Sequence, residues 1–236
     1  MKLTRRDALL ATAALAALSS FPAFAESGED GIGDVEDIVN YGWSTKEPEP
    51  RTEIEFEDAV YLNEVVETGD ESALVIKFSD GSKLTLGENA RVVIDKYVYS
   101  PAGSDSAQVL TLTKGAFRFL SGAMPKANVQ IKTPAVSIGI RGTELIFDVA
   151  DDGETEMSAI SGEADCTDGA GETLTVTVDE SVLVGADRKF RGRVRRFRHK
   201  SRSIAIAEGL GGARKRWRIR KVRRRRVVRR HRRRNN

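Results

Sequence analysis

The side chains with the clearest chemical reach are arginines. Arg141 stands in the run Ile140-Arg141-Gly142-Thr143, beside glycines whose backbone N–H groups could join its guanidinium around a carboxylate or phosphate. The competing reading makes the same run a corner, with Gly139 and Gly142 as permissive backbone and Arg141 paired to an acid such as Glu144. A second group is dense: Arg214-Lys215-Arg216-Trp217-Arg218-Ile219-Arg220-Lys221, then four arginines at 223–226. Arginine forks grip phosphates bidentately and tryptophan favours a membrane–water boundary. Arg216, Trp217, Arg218 and Arg220 are therefore the expected contacts to an anionic surface.

Other chemistries find little support. Both histidines, His199 and His231, fall among these basic residues, so the rest of the chain offers no imidazole for a triad or a zinc site. Cys166 is the single cysteine, which excludes an intramolecular disulfide. It follows the loop Ser161-Gly162-Glu163-Ala164-Asp165 and reads as a lipid or intermolecular disulfide site, or more plainly as a small, partly buried side chain. The run Asp148-Val149-Ala150-Asp151-Asp152-Gly153-Glu154 holds oxygen ligands for a hard cation but lacks the alternation of a calcium loop, and reads as a solvated hairpin turn. No catalytic residue, metal or cofactor is expected, and the chain reads as non-enzymatic.

Charge divides the chain. Residues 188–236 hold 24 Lys and Arg against one acid, Glu208, a net charge of +23 in 49 residues. The first 25 residues contribute +2, so residues 26–187 carry −22 within a whole-chain charge of +3. A composition shift of this size marks a boundary near residues 185–188. Lys2, Arg5 and Arg6, the apolar run from Ala8 to Ala17, and Ala23-Phe24-Ala25 have the order of a cleavable export signal. That run is shorter than the roughly 20 residues a spanning helix requires. Arg5-Arg6 resembles the twin-arginine signal, with an ordinary Sec signal as the alternative. The mature chain is expected to start near Glu26 and to be periplasmic. Behind an export signal, the basic tail is expected to meet lipopolysaccharide, an anionic membrane surface or an acidic protein rather than nucleic acid. The alternative is a tail that screens the chain's own acidic domain.

The elements that position these residues are strands. Leu74, Ile76 and Phe78 alternate with polar or smaller residues, as do Leu110 and Leu112, Phe117 and Phe119, Val129 and Ile131, and Val136, Ile138 and Ile140. Leu145, Phe147 and Val149, then Leu174, Val176 and Val178, continue the pattern. Period-two alternation rich in β-branched residues marks strands with one buried face. Asp80-Gly81, Asp152-Gly153 and Asp168-Gly169 fall between such runs, where glycine supplies the backbone of a tight hairpin. An all-β fold of many short strands follows, as a sandwich, a roll or a solenoid. The near-repeats Lys114-Gly115-Ala116-Phe117 and Ser161-Gly162-Glu163-Ala164 favour a short solenoid-like stack. The expected organisation is an export signal (1–25), an acidic linker (26–58) with one edge strand around Ile54-Glu55-Phe56, a β-domain (59–187) and an irregular basic tail (188–236).

Three motifs in order carry a family resemblance. Phe78-Ser79-Asp80-Gly81-Ser82-Lys83-Leu84, Lys114-Gly115-Ala116-Phe117-Arg118-Phe119, and the stretch from Ile131 through Thr133-Pro134 to Ile140-Arg141-Gly142-Thr143-Glu144-Leu145 together resemble a FecR domain, over residues 59–184. The resemblance implies an elongated β-structure whose glycines turn the chain between layers, a periplasmic setting and a protein partner for the β-domain. Regulators of that family carry a cytoplasmic region that controls a sigma factor and a C-terminal segment that meets an outer-membrane transporter. Here an export signal and an arginine-rich tail stand in those places. Asp95-Lys96-Tyr97-Val98-Tyr99-Ser100-Pro101 after Gly87-Glu88-Asn89 is similar to the stand-alone secreted branch of the family. The expected function is a periplasmic interaction module whose tail binds anionic surfaces. The alternative is a FecR-type signalling regulator acting through a separate membrane partner.

Overall fold

In the acidic entry, Val35 and Ile38 turn inward on either side of a β-bulge between Val35 and Asp37, and strands form where composition suggests a linker. The computed structural model describes residues 31–100, 105–141, 144–192 and, as backbone, 195–196. β1 (Gly33–Val39), β2 (Gly42–Thr45), β3 (Thr52–Glu53) and β4 (Ala59–Val60) come first. Val35, Ile38 and Ile54 are buried while Asp34 and Glu53 stay outside. The linker expected up to residue 58 is thus part of the folded domain from Gly33 onward. Its high charge and the bulge in β1 hide these strands from a local reading.

β5 (Val65–Thr68), β6 (Ala73–Phe78), β7 (Lys83–Leu86) and β8 (Arg91–Val98) lead to the long β9 (Ala107–Leu120). A 3-10 turn at Lys126–Asn128 precedes β10 (Val129–Lys132), β11 (Ser137–Ile140), β12 (Glu144–Val149) and β13 (Thr155–Ser161). β14 (Glu163–Thr167), β15 (Thr173–Thr177), β16 (Glu180–Val184) and β17 (Arg195–Arg196) complete the set.

Pairing sorts these strands into two sheets. The first runs β4-β1-β6-β7-β9-β12-β13-β16-β17. The second runs β3-β2-β5-β8-β9-β10-β11-β14-β15. Among these ladders only β9–β10 is parallel. A solenoid stacks its coils through parallel ladders, so this pattern selects an open sandwich of two antiparallel sheets over the solenoid-like stack. β9 belongs to both sheets, pairing with β8 and β10 along its first part and with β7 and β12 along its second.

Gly115 stands at that change, with φ 103°. A Cβ there would lie 2.5 Å from the Cα of Ala90, so both dihedral and space demand glycine. Elsewhere the chain crosses between sheets at Asn40, Glu71, Asn89, Gly162 and Asp179, all with positive φ. The near-repeat at Gly115 and Gly162 therefore marks two sheet crossings rather than two solenoid coils.

The inward side chains of both sheets form one cluster. Phe78, Phe117, Phe119 and Phe147 are fully buried from the first sheet, and Ile94, Leu110, Leu112 and Ile131 from the second. Each contributes roughly 1.5–3 kcal/mol by leaving water. Phe117 and Phe119 share the inner face while Arg118 between them points outward, as the alternation predicts.

The boundary expected at residue 187 also moves. The Gly169 N–H donates to the Arg188 carbonyl at 2.8 Å, Phe190 bridges to Val184 against the core, and Arg195 and Arg196 pair with Ser181 and Glu180. The turn closed by Gly185 N–H to the Lys189 carbonyl folds the chain back along β16. Charge density alone had placed these residues in the tail. Among the described residues no helix is long and apolar enough to cross a membrane.

Candidate functional site

Arg141 follows β11 at a sheet crossing. Its N–H donates to the Glu163 carbonyl at 2.9 Å. Its guanidinium Nε lies 2.7 Å from Asp165 Oδ2, and a terminal nitrogen lies 3.9 Å from Glu163 Oε1. The side chain stays 62% exposed. The expected partner Glu144 is instead held by Arg118, with Nε and Nη2 both 2.7 Å from Glu144 Oε1. The reason is topological. Between residues 141 and 144 the chain leaves the second sheet for the first, so Arg141 and Glu144 belong to different faces. Ile140 pairs with Ala164, which brings Glu163 and Asp165 on β14 beside Arg141. Gly142 and Thr143 lie outside the described residues, as do Arg216, Trp217, Arg218, Arg220, both histidines and the export signal.

Gly139 occupies the strip next to Arg141. It pairs with Gln130 on one side and Asp165 on the other, in mid-strand. Its φ lies outside the left-handed region, and an added Cβ would meet nothing within 4 Å. The expected role as permissive backbone is therefore not what the structure shows. Glycine in a strand forgoes side-chain packing, and it often marks a place where another backbone or a ligand comes close. Around it Thr175 donates to Asp165 Oδ1 at 2.8 Å, Thr167 and Thr173 share a 2.9 Å hydrogen bond, and Lys132 is exposed. Hydroxyls, carboxylates and cations on an open sheet face can hydrogen-bond an extended segment. Among the described residues no group of three or more His, Cys, Asp or Glu is placed to hold a metal ion.

A buried polar knot lies elsewhere, and no local sequence signal announces it. Asp80, read as half of a hairpin turn, is buried. Its Oδ1 accepts from Ser82 N–H at 3.1 Å and from the Ser82 hydroxyl at 2.6 Å, and its Oδ2 accepts from Met124 N–H at 3.3 Å. The Tyr97 hydroxyl receives the Asp80 N–H at 2.8 Å and donates to Asp80 Oδ1 at 3.3 Å. Burial, reinforced by the Asp80 charge, pushes the Tyr97 phenol well above its ordinary range. Only the fold brings residues this far apart in sequence together.

Cys166 lies within β14 opposite Ile138, fully buried, rather than in a loop with partial exposure. Burial, with a smaller contribution from the Asp165 charge, pushes its thiol up to about 12. A thiol this protonated and enclosed is a poor nucleophile and a poor site for lipidation or disulfide exchange.

Comparison with known proteins agrees with the resemblance in the motifs. Residues 64–165 match the family model described as FecR protein. The match spans β5 to β14 and so includes the Asp80 knot, the Gly115 crossing and the Gly139–Arg141 strip. Two crystal structures described as a "putative anti-sigma factor" from Parabacteroides distasonis are similar at 10% identity, with TM-scores of 0.45 and 0.46. Each alignment covers 60% of this chain, which spans 62% of the length of those proteins. No curated protein matches the sequence.

Proposed function

We propose that the protein is a non-enzymatic, exported interaction module of the FecR regulatory type. In this reading the outer face of the second sheet around Gly139 and Arg141 docks an extended segment of a periplasmic partner, and the basic tail engages anionic surfaces. The supporting observation is Gly139 itself. Among the described residues neither backbone nor packing requires glycine there, so its bareness suits something that approaches from outside that set.

The test is a pair of captures from periplasm with the intact protein, unaltered and as Gly139→Phe. A bulky ring on the open face should leave the melting curve in place and abolish retention of a specific protein. Equal retention by both would end the docking reading. The FecR match also supports a second reading, a signalling regulator that acts on a separate membrane partner through the β-domain alone. A chain shortened after residue 196 that still captures the same membrane protein would favour it. For the export step, intact-mass measurement of the secreted product should give a chain starting near Glu26. A membrane-bound product that retains Met1 would count against a soluble module.

A further inference from the structure

Among the described residues, the edge of the second sheet farthest from its own β15 is uncovered. β3 pairs with β2 and, among the described strands, with no other. Across this edge Glu53, Trp43, Glu67 and Arg91 stand in register. Arg51 lies over the Trp43 ring at 4.2 Å from its centroid, with its Nε 3.3 Å from Glu67 Oε2. The face thus already holds one guanidinium between an aromatic ring and a carboxylate. Stacking of this kind suits arginine better than lysine. Tyr41 extends the platform: its ring lies within 14° of the Trp43 plane, 6.3 Å between centroids, and the residue is 55% exposed.

The charge around this platform is one-sided. Residues 47–58 hold six acids against Arg51 alone. Glu47, Glu49, Glu53 and Glu57 are exposed and make no ion pair among the described residues. The rest of the chain supplies the complement. Residues 197–236 carry 18 Lys and Arg against Glu208, with arginine as the dominant cation.

We propose that residues 197–236 dock back, within the same molecule, on the β2–β3 edge, with arginines stacked on Tyr41 and paired to Glu47, Glu49, Glu53 and Glu57. Geometry permits the return. β17, where the described chain ends, and β1, which leads into β2, are seven strand spacings apart in the first sheet, about 34 Å. The 17 residues between β17 and Arg214 span about 55 Å when extended. The other acidic rim, the β12–β13 hairpin, has Lys114 only 3.8 Å from Asp151. The tail so held is kept from anionic surfaces, which makes the docking a built-in restraint. This restraint rests on the reading of the tail as a polycationic binding element.

Zero-length carbodiimide cross-linking of the intact chain, read by mass spectrometry, tests the docking directly. Lys215 and Lys221 should join Glu47, Glu49, Glu53 or Glu57, at a yield independent of protein concentration. In a mixture of isotope-labelled and unlabelled protein, the links should stay within one copy. Tyr41→Ala should lower their yield at least threefold. Links to Asp151 or Glu156 instead, links between copies, or no links from these lysines would each overturn the proposal. A separate arm adds a synthetic peptide of residues 197–236 to vesicles of phosphatidylcholine and phosphatidylglycerol. Failure of the peptide to bind, with the intramolecular links present, would sink the surface-binding reading and leave the docking standing.

Discussion

Gly115 and Gly139 both lie within strands, and their surroundings differ in what they ask of the residue. At Gly115 the chain itself demands glycine, since the backbone is left-handed and Ala90 leaves no room for a Cβ. At Gly139 nothing among the described residues does, since the backbone is ordinary and the space above it open to them. The inner crossing serves the fold, and the outer strip is free to serve something else. A short motif that contains glycine therefore says little about function until its surroundings are known.

The contrast can be broken first at its inner side. Phe117→Ala should cost about 3–5 kcal/mol in denaturant melts, from lost burial and the cavity left among Leu86, Phe119 and Phe147. A loss under about 1 kcal/mol would mean that the crossing is not a packed core. Gly115→Ala comes next, at roughly 2 kcal/mol or more, because a left-handed L-residue is strained and Ala90 must also move. An unchanged melt would remove the distinction between the two glycines.

The buried Tyr97 gives an effect of intermediate size that depends on pH. In the unfolded chain a tyrosine ionises near pH 10, whereas burial holds the folded Tyr97 neutral to higher pH. Its folded pKa is the raised one, so stability is fully present below about pH 10 and drains away as the pH climbs beyond it. Melts from pH 8 to 11.5 should show this decline, and Tyr97→Phe should flatten it. A decline of the same slope in the variant would assign the effect to other groups.

The smallest effects belong to the outer strip. Arg141→Ala should cost no more than about 1 kcal/mol, since its pairs are largely solvated. Gly139→Ala should stay within about 0.5 kcal/mol, as for other open surface positions. A large loss at either residue would make the strip structural and end its candidacy as a docking face.

Local sequence carried the inner side of this comparison further than the outer one. The alternation around Phe117 and Phe119 gave strand, face and burial together, because period two is a property of neighbouring residues. In residues 33–60 that period is broken by the bulge between Val35 and Asp37, and carboxylates dominate the composition. The partner of Arg141 could not be read locally. Glu144 is three residues away in sequence but lies in the other sheet, and Asp165 becomes its neighbour only through the β11–β14 ladder. The Asp80–Tyr97 knot was hidden for the same reason. The role of Arg188, Phe190 and Arg196 was missed because charge density outweighed a weak strand pattern.

β9 gives the molecule a particular history in time. It lies midway along the chain, and both sheets need it. The strands before it can gather into partial layers, but each layer ends on an unsatisfied edge until β9 arrives. The ladder from β9 to β12 can form only after β10 and β11 have been made. Pairings between such distant segments are slow, because the entropy of closing the loop is lost before the contacts are gained. The domain is therefore expected to fold late and as one unit, with no half able to finish ahead of the other. A chain halted before β12 would present long open strand edges to its neighbours, so the interval between making β9 and making β12 is when it is most exposed to aggregation.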